Sequence, residues 1–452
     1  MKPLIEKYNV AAPRYTSYPT VPYWDNIPPE QQQWMDIVKD TFICSNDTEG
    51  ISLYIHLPFC ESLCTYCGCN TRITVNHNVE LSYIMAVLNE WSLYLDLFEV
   101  TPRIKEIHLG GGTPTFFKAE NLKKLMDGIL STSILSSEAE LSFEAHPNNT
   151  SIEHLQILYD LGFRRISLGI QDFDEKVQHI INRIQDYKSV ENVTQQARKI
   201  GYTSINYDLI YGLPLQTEQS MNETIEKVIQ LRPDRIAFYS YAHVPWIKRG
   251  QRKFTEHDLP VGDTKRKLYE NGRDAFEKSG YIEIGMDHFA LPGDQLHRAE
   301  KNKTLHRNFM GYTAFHTQLL VGLGVSSISD GWYGFVQNVK TIEDYYKKID
   351  QGVFPFFKGH ILSKEDLILR KHILNIMCNL ETSWAHETEQ CQAVYDAIEH
   401  LKEMEADGLL SISHFHLKVT TKGKPFLRNI CMAFDARLWK QQPTTQLFST
   451  TA

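Results

Sequence analysis

The chain has 452 residues, 42% hydrophobic and 23% charged, enough to bury a barrel-sized core with one or two smaller appendages and too apolar for a disordered chain. Its net charge of −8 argues against a general nucleic-acid binder, so no nucleic-acid partner is expected. With no signal-peptide-like N-terminus and no run of about 18 apolar residues, no membrane partner is expected either.

Residues 1–50 form an arm rich in Tyr and Pro (YNVAAPRYTSYPTVPYW) and a helix, read as packing over the active site either as a surface strap or as a lid. From Ile51 short β-branched and aromatic runs alternate with amphipathic segments. ISLYIHLPF precedes a helix near LSYIMAVLNEWSLYLDLF, and IKEIHLGGG precedes AENLKKLMDGIL. ELSFEAHP pairs with SIEHLQILYDLG, RRISLGIQD with SVENVTQQARKIG, and SINYDLIYGLP with SMNETIEKVIQL. RIAFYSYAH and a helix near DTKRKLYENGRDAFEKSG close the series, with an extended YIEIGMDHFA after them. Such alternation indicates βα units and a parallel sheet. Six units within about 230 residues have the scale of a (β/α) barrel or most of one, placed at 51–300. Active sites of such barrels gather at the C-terminal strand ends, where Cys60, Gly110–Gly112, Glu144, Gln171, Asp208 and Tyr241 fall. Residues 301–358 read as loops and a short helix returning to the active site, and 359–452 as a helical, winged-helix-like domain.

Chemistry concentrates between Tyr54 and Asn70, in YIHLPFCESLCTYCGCN. Four of the eight cysteines lie here, and Cys44, Cys378, Cys391 and Cys431 are scattered, unlike a disulfide scaffold. A reducing cytoplasm is expected. Cys60, Cys64 and Cys67, spaced Cys-x-x-x-Cys-x-x-Cys, can hold three irons of a cubane cluster and leave the fourth open. A zinc site using Cys69 as fourth ligand is the alternative, although Cys67-Gly-Cys69 leaves little room for it. Gly110–Gly112, followed by Thr113-Pro114-Thr115, lets backbone approach a ligand closely. Glu144, Gln171, Arg183 and Asp208 sit at or just after strand ends and gain weight only as a set.

The spacing of the cysteines, with Tyr66 before the third, resembles the signature of radical S-adenosylmethionine (radical SAM) enzymes, and the glycine turn resembles their GGxP-type motif. End to end, the chain resembles the oxygen-independent coproporphyrinogen III oxidase family. The shared stretches are YNVAAPRYTSYPT, PFCESLCTYCGCN, HLGGGTPTFF, SLGIQDFDEKVQHIINRIQ, DLIYGLPLQT, YIEIGMDHFA, LHRNFMGYT and RNICMAFD. The resemblance implies an α/β fold: an incomplete (β/α)6 TIM-like radical SAM barrel with an N-terminal arm and a smaller, mainly helical C-terminal domain. It also implies that Cys60, Cys64 and Cys67 bind one 4Fe–4S cluster, with Cys69 nearby and not a ligand. Tyr54, Gly111, Glu144 and Ile328 would contact the S-adenosylmethionine on the cluster. Tyr66, Gly112, Thr113, Gln171, Arg183, Asp208 and Ala242 would line a second S-adenosylmethionine site.

The implied reaction turns two propionate side chains of coproporphyrinogen III into vinyl groups through a 5′-deoxyadenosyl radical, giving protoporphyrinogen IX. The implied partners are the tetrapyrrole, a flavodoxin- or ferredoxin-type electron donor and an unknown electron acceptor, with the chain a monomer. A haem-binding chaperone and a radical methyltransferase on the same scaffold are the alternatives. Four substrate carboxylates call for cations, and Arg14, Arg72, Lys248, Arg249, His306 and Arg307 are candidates. Departures from the family pattern at His146, Asn148, Met310 and Gln318 are expected near the substrate.

Overall fold

The computed structural model describes residues 2–246, 248–441 and 448. It contains two compact units, a barrel unit of residues 26–281 and 317–360 and a second unit of residues 1–25, 282–316 and 361–452. The segment read from sequence as 1–50 is therefore divided, its arm lying in one unit and its helix in the other. No helix among the described residues is long and apolar enough to cross a membrane.

The barrel unit is built on strands β1 (Ile51–Leu57), β2 (Arg103–Gly111), β3 (Ile134–Ala145), β4 (Arg165–Gln171), β5 (Ser204–Tyr211) and β6 (Arg235–Ser240). These pair in parallel in chain order. Helices α1 (Gln31–Ser45), α2 (Val79–Leu95), α3 (Ala119–Leu130), α4 (Ile152–Asp160), α5 (Tyr187–Ile200), α6 (Glu218–Leu231) and α7 (Gly262–Lys278) flank them, close to the amphipathic runs read from sequence. On α3 the buried Leu122, Leu125, Met126 and Ile129 follow helical spacing, which gives that helix one apolar stripe. Gly201 ends α5 with a φ of 118°, a left-handed stop that glycine takes without strain.

A parallel sheet covered on both faces ordinarily reads as continuous apolar strands. Here only one face does. Leu53, Ile55, Ile107, Leu109, Phe143, Leu168 and Leu209 are fully buried on it. The other face carries polar residues at every second position, paired across the strands in register: Ser52 with Glu106, Tyr54 with His108, and His108 with Ser142. Ser142 lies beside Arg165, Ser167 beside Asn206, and Gly169 beside Asp208. Arg235 on β6 reaches Glu140 on β3 at 3.6 Å, although those strands lie three places apart. In a flat sheet that separation is about 14 Å, so the polar face is the concave one.

Residues 301–358 differ from the sequence reading. They do hold a short helix, Ile342–Asp350, but in place of loops they supply β7 (Leu319–Leu323), parallel to β1, then β8 (Ile328–Asp330) and β9 (Gly334–Asn338), paired antiparallel. Strand β10 (Phe356–Ile361) follows at the sheet edge. The glycines in LLVGLGV suggested loops, but Gly322 is needed inside a strand: a Cβ there would strike the Ile328 backbone. Likewise the extended stretch read at 281–290 is a hairpin, Ile282–Ile284 against His288–Ala290, which turns at Gly285 with φ 62°.

In the second unit, helices Lys364–Asn379, Gln392–Ala406 and Leu427–Ala433 accompany an antiparallel three-stranded sheet, Glu381–Ser383, His416–Val419 and Leu410–Ser413 in spatial order. The arm is part of this core rather than a strap on its surface. Tyr15 and Tyr18 are buried with Leu369, Ile373, Leu401 and Phe434. Arg428, itself buried, donates to the carbonyls of Ala12 and Pro13, and Asn429 to that of Tyr8. The Tyr15 hydroxyl donates to Asp435 at 3.2 Å.

One buried carboxylate ties α2 to the turn after β7. Glu90 accepts from Gly324 N at 2.7 Å, Tyr345 Oη at 2.6 Å and Asn338 Nδ2 at 2.6 Å. Burial raises its pKa from 4.5 to about 7 despite those donors. A raised carboxyl pKa means the folded chain holds this proton longer than the unfolded chain. Its contribution is therefore full below pH 4.5 and is lost as pH rises to about 7, a change of about 3 kcal/mol. Urea titrations between pH 4.5 and 8 should show that slope, and Glu90→Gln should flatten it. Tyr15→Ala should destabilise the second unit by about 3–5 kcal/mol in the same titrations, since it opens a cavity in that core.

Candidate active site

The cysteine loop leaves the C-terminal end of β1 and is fastened on several sides. Phe59–Cys60 pairs with Arg72–Ile73, closing the loop at its base. Asn182 Nδ2 donates to Leu63 O at 2.8 Å and Thr65 N to Ile181 O at 2.9 Å. Gln251 donates to Tyr66 O and Lys248 to Cys69 O, both at 3.3 Å. The glycine turn after β2 is stitched to the same strand, with Gly112 N donating to Leu57 O at 2.9 Å and Thr113 N to Phe59 O at 3.0 Å. A Cβ at Gly112 would lie 2.6 Å from the Pro58 carbonyl carbon, and Gly111 has φ 110° with the His56 ring against it. Only glycine fits either position.

Loop and turn enclose a cavity of about 470 Å³. Cys60, Cys64, Cys67 and Cys69 line it, and none is in a disulfide. Among the described residues no three His, Cys, Asp or Glu side chains converge tightly enough for a single metal ion. Clustered thiols on one loop are the donor set that iron–sulfur clusters take, one thiolate per iron. Burial pushes the Cys60 thiol up to about 11, partly offset by the Thr113 hydroxyl 3.3 Å away. A hydrogen bond from the Cys69 side chain pulls Cys67 down, and the Cys69 thiol is correspondingly raised.

Glu144 lines the cavity with 42% of its side chain exposed. It accepts from Gly111 N at 3.1 Å and lies 3.5 Å from His108 Nε2. Burial alone would raise its pKa, but His108 and the Gly111 amide hold it below the usual carboxylate value. Behind it His108 Nδ1 meets Ser142 Oγ at 2.8 Å, and Arg165 spans Ser142 and Glu140 at 2.9 and 2.8 Å. On the far wall Asp208 accepts from Ser167 and Asn206, both at 2.9 Å. Arg183 directs Nε and Nη2 at the Gly169 carbonyl and Nη1 at Cys64 Sγ, 3.7 Å away. Gln171 ends β4 with φ 66°, an uncommon conformation for a side-chain-bearing residue.

The cavity thus brings together Cys60, Cys64, Cys67, Tyr66, Gly111, Gly112, Thr113, Glu144, Gln171, Arg183 and Asp208. Tyr54, Ala242, Ile328 and Tyr241 do not line it. Tyr54 bonds His56 at 3.1 Å, the Ala242 carbonyl accepts from Gln251, and Ile328 lies in β8 opposite Gln337. None of the six candidate cations lines the cavity either. Arg14 pairs with Asp287 at 2.9 Å and Arg72 with Glu343 at 3.0 Å. Arg307 is buried against the Arg14 carbonyl and the Tyr312 ring, and burial drives the His306 pKa far down, which leaves it uncharged.

Of the departures, His146 and Asn148 do line the cavity, and burial beside Arg183 lowers His146 to about 3. Met310 sits in a turn of the second unit. Gln318 bonds Glu49 at the N-terminal end of β7, away from the strand ends that carry the site, contrary to the expectation of a place near substrate. Ser167 and Tyr239 also line the cavity, and His108 and Asn206 hold Glu144 and Asp208 in place; the motif reading missed all four. Their signal was present as the polar half of a two-residue period in strands that should have been apolar throughout. Gly112→Ala should destabilise the barrel unit by about 1–3 kcal/mol in urea unfolding, because its methyl group meets backbone that cannot yield.

Three comparisons bear on identity. The radical SAM superfamily model matches residues 54–228. The chain is 36% identical to the oxygen-independent coproporphyrinogen III oxidase of Salmonella typhimurium over 451 residues, covering 99% of this chain and 97% of the relative. It is 38% identical to that of Helicobacter pylori over 442 residues, covering 96% and 95%. A solved structure of coproporphyrinogen III oxidase from Escherichia coli, described as a radical SAM enzyme, matches with TM-score 0.88 at 36% identity, over 94% of this chain and 98% of that one. With that likeness over nearly its whole length, the chain belongs to the oxygen-independent coproporphyrinogen III oxidase family of radical SAM proteins.

Proposed function

We propose that this chain carries out the oxygen-independent oxidative decarboxylation of two propionate side chains of coproporphyrinogen III to vinyl groups, giving protoporphyrinogen IX in haem biosynthesis. The observation that carries the reading is one cavity shared by Cys60, Cys64, Cys67, the Gly111–Thr113 turn and Glu144. Membership of the radical SAM family implies one 4Fe–4S cluster and S-adenosylmethionine. When bound, these supply the radical that takes a hydrogen from the β-carbon of a propionate, after which carbon dioxide and one electron leave.

The chain's own residues bind and orient. Cys60, Cys64 and Cys67 would hold the cluster as thiolates. Glu144, kept ionised by His108 and the Gly111 amide, suits the ammonium or ribose of the cofactor. The side-chain-free backbone at Gly111 and Gly112 lets the cofactor lie close to the strand ends. Tyr54 and Ile328 are assigned to that first cofactor by family resemblance, and outside the cavity wall they would act from its rim. A second S-adenosylmethionine would lie toward Tyr66, Gly112, Thr113, Gln171, Arg183 and Asp208, with Ala242 linked to Tyr66 through Gln251; that these six share the cavity with the thiols supports this. Arg72, Lys248 and Arg249 remain in the barrel unit as cations for substrate carboxylates. The electron would come from a flavodoxin- or ferredoxin-type donor, and the chain would work as a cytoplasmic monomer.

Anaerobic turnover with reconstituted cluster, S-adenosylmethionine, a reductant and coproporphyrinogen III should yield carbon dioxide and vinyl product. Haem binding without turnover would instead indicate a chaperone. Cys60→Ser, Cys64→Ser and Cys67→Ser should each lose the cluster's visible absorbance, whereas Cys69→Ser should keep it.

A further inference from the structure

Each of the three cysteines read as cluster ligands meets a different donor. The Thr113 hydroxyl lies 3.3 Å from Cys60 Sγ, the Arg183 guanidinium 3.7 Å from Cys64 Sγ, and the Cys69 side chain hydrogen-bonds Cys67. Only Arg183 brings a full positive charge, and a guanidinium does not give it up by deprotonation. Arg183 is also the only Lys or Arg among the described residues lining the cavity. Its aim is fixed from behind by its own two bonds, Nε and Nη2 both holding the Gly169 carbonyl; Gln185 Nε2 also reaches that carbonyl, at 3.1 Å, and the next one at 2.6 Å. The Asp208 carboxylate, which accepts from Ser167 and Asn206, acts on the same guanidinium and damps its charge without removing it.

A cation held against a ligating sulfur stabilises the reduced, more negative cluster more than the oxidised one. The geometry points to Arg183 as the residue that raises the reduction potential of the cluster, acting through Cys64, so that a biological donor can deliver the electron that starts each turnover. This is a positioning of charge, separate from any contact Arg183 makes with cofactor. It rests on the reading that Cys60, Cys64 and Cys67 hold a cluster.

The test uses full-length protein with reconstituted cluster and no S-adenosylmethionine, poised in viologen redox buffers and read by the electron paramagnetic resonance of the reduced cluster. Arg183→Met and Arg183→Gln should lower the reduced-to-oxidised ratio about tenfold at a fixed potential, which is ~59 mV for one electron. Arg183→Lys should stay within about threefold of the parent by keeping the charge. Gln185→Leu disturbs the same Gly169 carbonyl without touching the charge and should leave the ratio unmoved. Equal ratios in the neutral variants and the parent overturn the inference. So does an equal fall in Arg183→Lys or Gln185→Leu, since shape and not charge would then be responsible. If the parent itself takes up no cluster, by iron content and absorbance, it is the ligand reading that fails.

Discussion

Two backbone segments without side chains between them hold the site together. Gly112 and Thr113 donate to Leu57 and Phe59, so the turn after β2 lies directly against the strand that delivers Cys60. A β-carbon at Gly112 would intrude on the Pro58 backbone, and a turn pushed outward would loosen the cysteine loop, the Gly111 amide and the carboxylate bound to it at once. Position of the thiols and orientation of Glu144 are therefore not separately adjustable. Both derive from one close approach that glycine alone allows.

Behind that approach stands a polar interior, costly for a buried sheet face. Glu140, Arg165, Arg235, His108 and Ser142 desolvate together, and a charge buried there without its partners would carry a penalty of several kcal/mol. The registers that set these residues side by side satisfy them. The same rows lead to the strand ends, where they finish in Glu144 and Asp208. Structural satisfaction deep in the barrel and polarity at the cavity are one pattern continued along the strand. The apolar face meanwhile packs on the helices and supplies the hydrophobic stabilisation that the concave face forgoes.

Much of this was legible in the chain. The six βα units and most helix limits followed from periodicity, because each helix carries one apolar stripe and each strand a short β-branched run. Eleven of the fourteen expected site residues, identified by motif and resemblance, share the cavity. The segment after residue 300 was misread because Gly322 and Gly324 look like loop formers, whereas Gly322 clears space for the Ile328 backbone. Arg14, His306 and Arg307 looked like free cations because an ion pair, a buried neutral ring and a stack on Tyr312 arise only when distant segments meet. His108 went unremarked beside three glycines, since nothing local announces a hydrogen bond to the next strand.

The arm gives the chain a history as well as a shape. Tyr15 bonds Asp435, 420 residues later, and shares a core with helices that are made last. At a synthesis rate of about 5–20 residues per second, the first aromatic residues wait roughly 20–80 s for their partners. The barrel strands are complete well before then. Once the barrel unit is made, at residue 360, the Tyr- and Pro-rich arm still waits for the last helices to cover its aromatic side chains.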